Sequence, residues 1–244
     1  MGKSTSRKMV FKQFTVRDDR CAMKIGTDAV ALGVLASHSR PNNILDIGTG
    51  SGIVALMLAQ RFPDAKLTAI ELEPGAYSQS QENFSDSPFA NRLSAINKRF
   101  QSWADSTTEK FDLIVTNPPF FNSQSRSPVE ARNMARHDDY LKIDEIFDGV
   151  NKVLDDGGKL VIVWPVERTE DLLQSATEKN YGLHEKVDIL PTQDHSAVRF
   201  VATFIKGAAV NPERKDLILE EGVGDDRKFT PKYLSLVKDF FLKA

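Results

Sequence analysis

Cysteine is almost missing from this sequence: Cys21 stands alone among 244 residues. A single thiol excludes an intramolecular disulfide and a Cys-rich metal site, and it fits a reducing compartment. Long apolar runs are missing as well. No stretch approaches the length of a membrane span, and no apolar block near the start resembles a signal peptide. Cytoplasm is therefore the expected location, with no membrane partner and no metal. A dominant charge is lacking too. The formal net charge is −2, so the whole-chain balance points neither toward nucleic acid nor away from it. There is no internal repeat and no low-complexity tract.

The residues that are present have the composition of an ordinary globular protein, 41% apolar and 27% charged. The chain is long enough to bury a sizeable core as one domain. The reading expects a disordered basic segment over residues 1–10, a single domain over 11–244, and a monomer. Charge is unevenly spread. Residues 1–24 carry Lys3, Arg7, Lys8, Lys12, Arg17, Arg20 and Lys24 against Asp18 and Asp19, a local +5 that leaves −7 for the remainder. Such an arm suits phosphate contact, and equally suits a solvated terminus.

Patterning alternates short β-branched runs with amphipathic stretches. Residues 11–16 read as a short strand. Thr27 or Asp28 reads as the cap of a helix with apolar residues following at helical spacing. Strands are expected at 44–47, 66–70, 93–96, 111–116 and 159–164. Helices are expected at 53–61, from Pro74 to about residue 84, at 141–154 and at 168–179. A turn is expected at 155–158. Residues 183–190 and 198–205 read as strands with no room for a helix between them, so they should pair antiparallel. The tail over 233–242 has the spacing of an amphipathic helix. The resulting expectation is an α/β fold of Rossmann-like type. Its sheet has about seven mostly parallel strands, the last antiparallel, with helices on both faces.

The most informative stretch is Asn117-Pro118-Pro119-Phe120, which follows the apolar run at 111–116. Two prolines remove two ladder donors, so strand pairing should end there. Asn117 is also steered away from the helical region by the proline after it. A stiff polar corner then sits at the carboxyl end of a strand, where open α/β sheets hold ligands. An exocyclic amine on a base, or a side-chain amide, has a delocalised lone pair and is a poor nucleophile. The Asn117 side-chain oxygen can accept one N–H of such an amine, and the Pro118 carbonyl can accept the other. Together they would aim the nitrogen at an electrophile. Phe120 offers a flat face on which a base can stack.

A second signal lies upstream. Asp46-Ile47-Gly48-Thr49-Gly50-Ser51-Gly52 follows the expected strand at 44–47, and Glu71 ends the next strand, 21 residues after Gly50. Glycines there allow a tight turn and close approach of a ligand to the backbone. The spacing is G-x-G-x-G, not the dinucleotide G-x-G-x-x-G, and no Walker lysine accompanies it. A carboxylate at Glu71 can accept both ribose hydroxyls of an adenosine. After the third of these strands, Asn97 or Phe100 is the candidate for the adenine ring. Lys24, Thr27 and Asp28, before a helix N-terminus, are candidates for a carboxylate.

A glycine turn, an acidic second strand and Asn-Pro-Pro-Phe, in that order, resemble the class I S-adenosylmethionine-dependent methyltransferases. The corner itself resembles the motif of enzymes that act on exocyclic or amide nitrogens. The blocks Phe11-Lys12-Gln13-Phe14, Asp19 through Val30, and Asn117 through Phe121 narrow this further. With Leu217-Ile218-Leu219 and Tyr233-Leu234, they are similar to the bacterial tRNA1(Val) adenine N6-methyltransferase family over nearly the whole chain from Phe11. The resemblance implies S-adenosylmethionine as cofactor and a valine tRNA as partner. It implies Asn117, Pro118 and Phe120 at the reacting amine. Asp46, Gly48, Gly50, Gly52, Glu71 and Asn117 would lie around the cofactor. A loop adenine, cheaper to extrude than a paired base, would be the target. Phe120 stands where many amino-methylases carry Tyr; stacking survives that change. The long polar segment 122–138 supplies Arg126, Arg132 and Arg136, each suited to phosphate or to solvent.

Overall fold

A computed structural model describes residues 8–119, 141–207 and 211–242. Its centre is an eight-stranded sheet. The strands are β3 (Asn43–Ile47), β4 (Lys66–Glu71), β5 (Leu93–Asn97), β6 (Phe111–Thr116), β7 (Leu154–Pro165), β8 (Tyr181–Leu190), β9 (Arg199–Lys206) and β10 (Glu213–Ile218). Their spatial order is β10-β8-β9-β7-β6-β3-β4-β5. Only β9 runs against its neighbours in this sheet, antiparallel to both β7 and β8. The Rossmann-like expectation therefore holds, including the antiparallel seventh strand. The expected count of seven becomes eight. β10 pairs parallel with β8 from Glu213 beside Glu185 to Ile218 beside Leu190. Its residues are charged and exposed except near Leu217, so no apolar run marked it as a strand.

The two faces of the sheet follow from the two-residue alternation of strand side chains. Ile44, Leu113, Val115, Val161, Val163 and Val201 point into one core. Leu45, Ile114, Leu160, Ile162, Phe200 and Phe204 point into the other. The first core is covered by α1 (Thr27–Leu35), α2 (Ile53–Arg61) and α7 (Pro231–Val237), and also receives Phe84 of α3 (Pro74–Ser85). The second is covered by α4 (Phe100–Ser106), α5 (Ile143–Val153) and α6 (Thr169–Glu178). No helix among the described residues is long and apolar enough to cross a membrane.

Three local expectations are revised. The single strand at 11–16 is two short ones, β1 (Lys8–Val10) and β2 (Thr15–Arg17), paired antiparallel. The stacked rings of Phe11 and Phe14, 4.7 Å apart, close the turn between them. Lys8, Met9 and Val10, expected to be disordered, thus form a strand. The turn at 155–158 is an irregularity inside β7, whose register on β6 jumps from Leu154 beside Phe111 to Lys159 beside Leu113. The tail helix is shorter than expected: it starts at Pro231, where the Thr230 hydroxyl accepts from the Tyr233 amide, and ends at Val237.

The chain lays β3, β4 and β5 outward in one direction, then returns to place β6 on the other side of β3. That reversal is the switch point at which doubly wound sheets open a cleft beyond their carboxyl ends. The register puts Ile47 beside both Ile70 and Thr116, and Glu71 beside Asn97. The carboxyl ends of four strands therefore share one rim.

Candidate active site

The turn after β3 is pinned to this rim. The amides of Gly48 and Thr49 donate to the Ile70 carbonyl at 2.8 and 3.2 Å. Gly48, Gly50 and Gly52 all have positive φ, at 70°, 55° and 83°. Their surroundings differ. A Cβ at Gly48 or Gly50 would meet nothing within 4 Å, whereas one at Gly52 would lie 2.4 Å from the Phe84 ring. The first two glycines leave room for a ligand against the backbone. The third lets α2 begin in contact with α3.

Glu71 is oriented before any ligand arrives. One carboxylate oxygen accepts from the Gly50 amide at 2.8 Å and the other from the Glu73 amide at 2.9 Å. Each oxygen keeps a second lone pair, which is what two ribose hydroxyls require. Asp46 lies beneath the turn, 2% exposed. Its Oδ2 accepts from the Thr49 hydroxyl at 2.6 Å. Burial, with the Glu71 charge adding, pushes its carboxyl up to about 7, against the lowering effect of the Thr49 hydrogen bond.

That shift has a definite sign. In the unfolded chain the Asp46 group titrates near 3.8. Between 3.8 and about 7 the folded chain holds a proton that the unfolded chain has lost. The stabilisation is complete below 3.8 and is lost as pH rises through about 7. Urea unfolding of wild type and Asp46→Asn at a series of pH values should show wild type losing ground to the variant from pH about 4 to about 7 and no further above that. A pH-independent difference would contradict the shift.

Asn117 directly follows β6, whose last residue, Thr116, donates its hydroxyl to the Ile47 carbonyl at 2.9 Å. This bond ties the corner to the root of the glycine turn. The Asn117 Oδ1 atom is buried and has no hydrogen-bond partner among the described residues. Unpaired buried acceptors are costly and rare, and a ligand that completes the bond is one explanation for such an atom. Pro118 is buried beside it and Pro119 is exposed. Phe120, Arg126, Arg132 and Arg136 lie outside the described residues.

Four expected contacts are altered by the structure. The Lys24 ammonium is engaged by its own loop, donating to the carbonyls of Asp18 (2.7 Å), Cys21 (2.8 Å) and Asp19 (3.3 Å). Asn97 donates both amide hydrogens to the backbone at the end of β4, to the carbonyls of Glu71 and Leu72. It therefore shapes the rim, and only its oxygen remains to offer an adenine. Phe100 is a core residue, 4% exposed, with its ring against Gly149 of α5, so the expectation that it lies on an adenine is dropped. Asp28 faces Arg199 of β9, with Nε 3.5 Å from its carboxylate. Desolvation raises its pKa and the Arg199 charge opposes that. Thr27 is exposed at the start of α1. Sequence reasoning missed Thr49, although its hydroxyl lies only three residues from Asp46. It also missed Gln79 and Asn83, two polar residues four apart on the buried face of α3.

A glycine cradle, an oriented acidic residue and an amide oxygen with no partner among the described residues share one rim of a doubly wound sheet, the layout expected of a nitrogen methyltransferase. Comparison with known proteins agrees. Residues 23–186 match the methyltransferase small domain family. The fold is similar to that of a predicted O-methyltransferase from Agrobacterium tumefaciens, with a TM-score of 0.70 at 19% identity, covering 87% of this chain and 96% of that one. Two curated relatives are named tRNA1(Val) (adenine(37)-N6)-methyltransferase. That of Trichodesmium erythraeum is 37% identical over 235 residues, covering 96% of this chain and 97% of the relative. That of Parabacteroides distasonis is 37% identical over 233 residues with the same coverage. The chain belongs to the tRNA1(Val) (adenine(37)-N6)-methyltransferase family.

Proposed function

We propose that this protein transfers the methyl group of S-adenosylmethionine to N6 of adenosine 37 in tRNA1(Val). The observation that carries the reading is the buried Asn117 oxygen, without a partner among the described residues, on the same rim as the glycine cradle. The residues present suit the cofactor. Open space over Gly48 and Gly50 admits it, and Glu71 is already turned to receive ribose hydroxyls. Bound there, S-adenosylmethionine supplies an electrophilic methyl group on a sulfonium.

The chain's own work is to position and polarise the acceptor amine. Asn117 Oδ1 and the Pro118 carbonyl each accept one hydrogen of N6. This fixes the nitrogen and favours the positive charge that grows on it. Burial of the Asn117 oxygen and of Pro118 also excludes water from those two bonds, which strengthens them. Phe120 stacks on the extruded base. Attack is direct, and the excess proton leaves N6 for solvent. We place the whole activity in one domain over residues 11–244, acting as a monomer in the cytoplasm.

The test is incubation with labelled S-adenosylmethionine and total tRNA from a strain lacking the enzyme, followed by nucleoside analysis. N6-methyladenosine confined to one valine tRNA is the expected result. Label in N2-methylguanosine, in protein glutamine or in no RNA would overturn the assignment.

A further inference from the structure

The segment between β2 and α1 lies along α3, and two buried side chains of that helix hold it there. Asn83 is 1% exposed. Its Oδ1 accepts from the Arg17 amide at 3.0 Å, and its Nδ2 donates to the Arg17 carbonyl at 2.8 Å. The same Nδ2 donates to the carbonyl of Ser51, also at 2.8 Å. One turn earlier, Gln79 is fully buried and accepts from the Arg20 amide at 3.2 Å. The Arg20 carbonyl lies 3.3 Å from where a Cβ on Gly75 would stand. Outside these contacts, Arg17 pairs with Asp86 at 2.8 Å and Arg20 pairs with Glu82. Two of the arm's seven cations are thus matched by α3 and the residue that caps it.

The arm leads directly to the candidate site. The residue after Arg20 is Cys21, which is buried and close enough to Glu71 and Glu73 to feel both charges. Beyond it, the Asp18 carboxylate accepts from the Ile25 amide at 2.8 Å, and the chain enters α1. Ser51 lies between Gly50 and Gly52. Asn83 is therefore bonded at once to the arm and to the glycine turn. The turn has three residues at positive φ, and besides its bonds to Ile70 and Glu71 the Asn83–Ser51 bond is a further hold on it.

We propose that Asn83 is a positioning residue for the cofactor, setting the glycine turn and the arm against one another, with Gln79 holding the far end of the arm. This deepens the reading above, since it rests on the glycine turn and Glu71 as the cofactor site. Surface ion pairs such as Arg17–Asp86 add little to this hold. Asn83→Ala leaves three backbone groups without their partner. Asn83→Asp keeps the acceptor for Arg17 but sets a carboxylate against two carbonyls.

The test uses the full chain and its single cysteine as reporter. In Asn83→Ala and Asn83→Asp, the Kd for S-adenosylhomocysteine and the KM for S-adenosylmethionine should rise roughly tenfold or more. The kcat at saturating cofactor and the KM for tRNA should stay near wild type. Cys21 should react faster with a thiol reagent, and S-adenosylhomocysteine should slow that reaction in wild type. A fall in Tm with unchanged Kd would show a packing role only and overturn the proposal. If wild type binds no S-adenosylhomocysteine, the cofactor reading itself fails, which is a separate outcome. Should the Asn83 variants not fold, Gln79→Met keeps the volume and removes the bond to Arg20. Faster Cys21 labelling with weaker cofactor binding is then expected, and no change in either overturns the proposal.

Discussion

Asn117→Ala should lower kcat for methyl transfer by about 10²–10³-fold, the scale of losing one pre-placed partner for developing charge. Binding of S-adenosylhomocysteine should survive, because the glycine cradle and Glu71 are untouched. Stability should not fall and should rise if repacking is good. Removing an acceptor that is buried and has no partner among the described residues relieves a cost of about 1–3 kcal/mol. In a chain of this size each kcal/mol moves Tm by about 2–4 °C. Loss of activity with a retained or raised Tm is the signature of a residue kept for function against stability. Asn117→Asp separates acceptor from shape. It keeps an oxygen for the amine hydrogen and should retain more activity than Ala, despite the penalty of burying a charge. Equal activity in wild type and Asn117→Ala would remove Asn117 from the reacting amine. Stopped turnover at saturating S-adenosylmethionine and tRNA, with calorimetry and thermal melts on the same samples, reads all three quantities.

The second large effect is a contrast within the glycine turn. Gly52→Ala should be a folding mutation. It forces a side chain into φ 83° and places a Cβ 2.4 Å from the Phe84 ring. The left-handed conformation costs about 1–2 kcal/mol and the overlap about 1–3 kcal/mol. The melting temperature should fall by roughly 5–20 °C on the scaling for a chain of this length. Phe84→Leu in the same chain should return part of that loss, since the two sites share one contact. Gly48→Ala and Gly50→Ala carry only the backbone term, because their added carbons meet open space. They should cost about 1–2 kcal/mol of stability. Their main effect should be weaker cofactor binding, by roughly tenfold or more, as the new methyl stands where the ligand approaches the backbone. Equal loss of cofactor affinity in all three variants, or none in the first two, would refute the division.

The residues that sequence could reveal are those whose role is written in neighbouring positions. Apolar runs of strand length, helical spacing after Gly52 and a double proline after Thr116 required the alternating fold and its polar corner. Glycines in a turn and a carboxylate at the next strand end were legible for the same reason. Each answers to the geometry of a strand ending, which chain neighbours decide. The partners of other side chains lie far away along the chain. Asn83 meets Arg17 across 66 residues and Ser51 across 32, and nothing local announces either contact. Phe100 follows the third strand of the expected alternation, at the height of a cofactor ring, yet Gly149 opens a hole that draws its ring into the core. Lys24 looks free in sequence until the loop folds three carbonyls around it. β10 becomes a strand only because β8 presents an unpaired edge, and four of its six residues face solvent. Sequence by itself determined the alternation, the cradle and the corner. Tertiary structure decided which polar groups are already satisfied, and the buried Asn117 oxygen has no partner among the described residues.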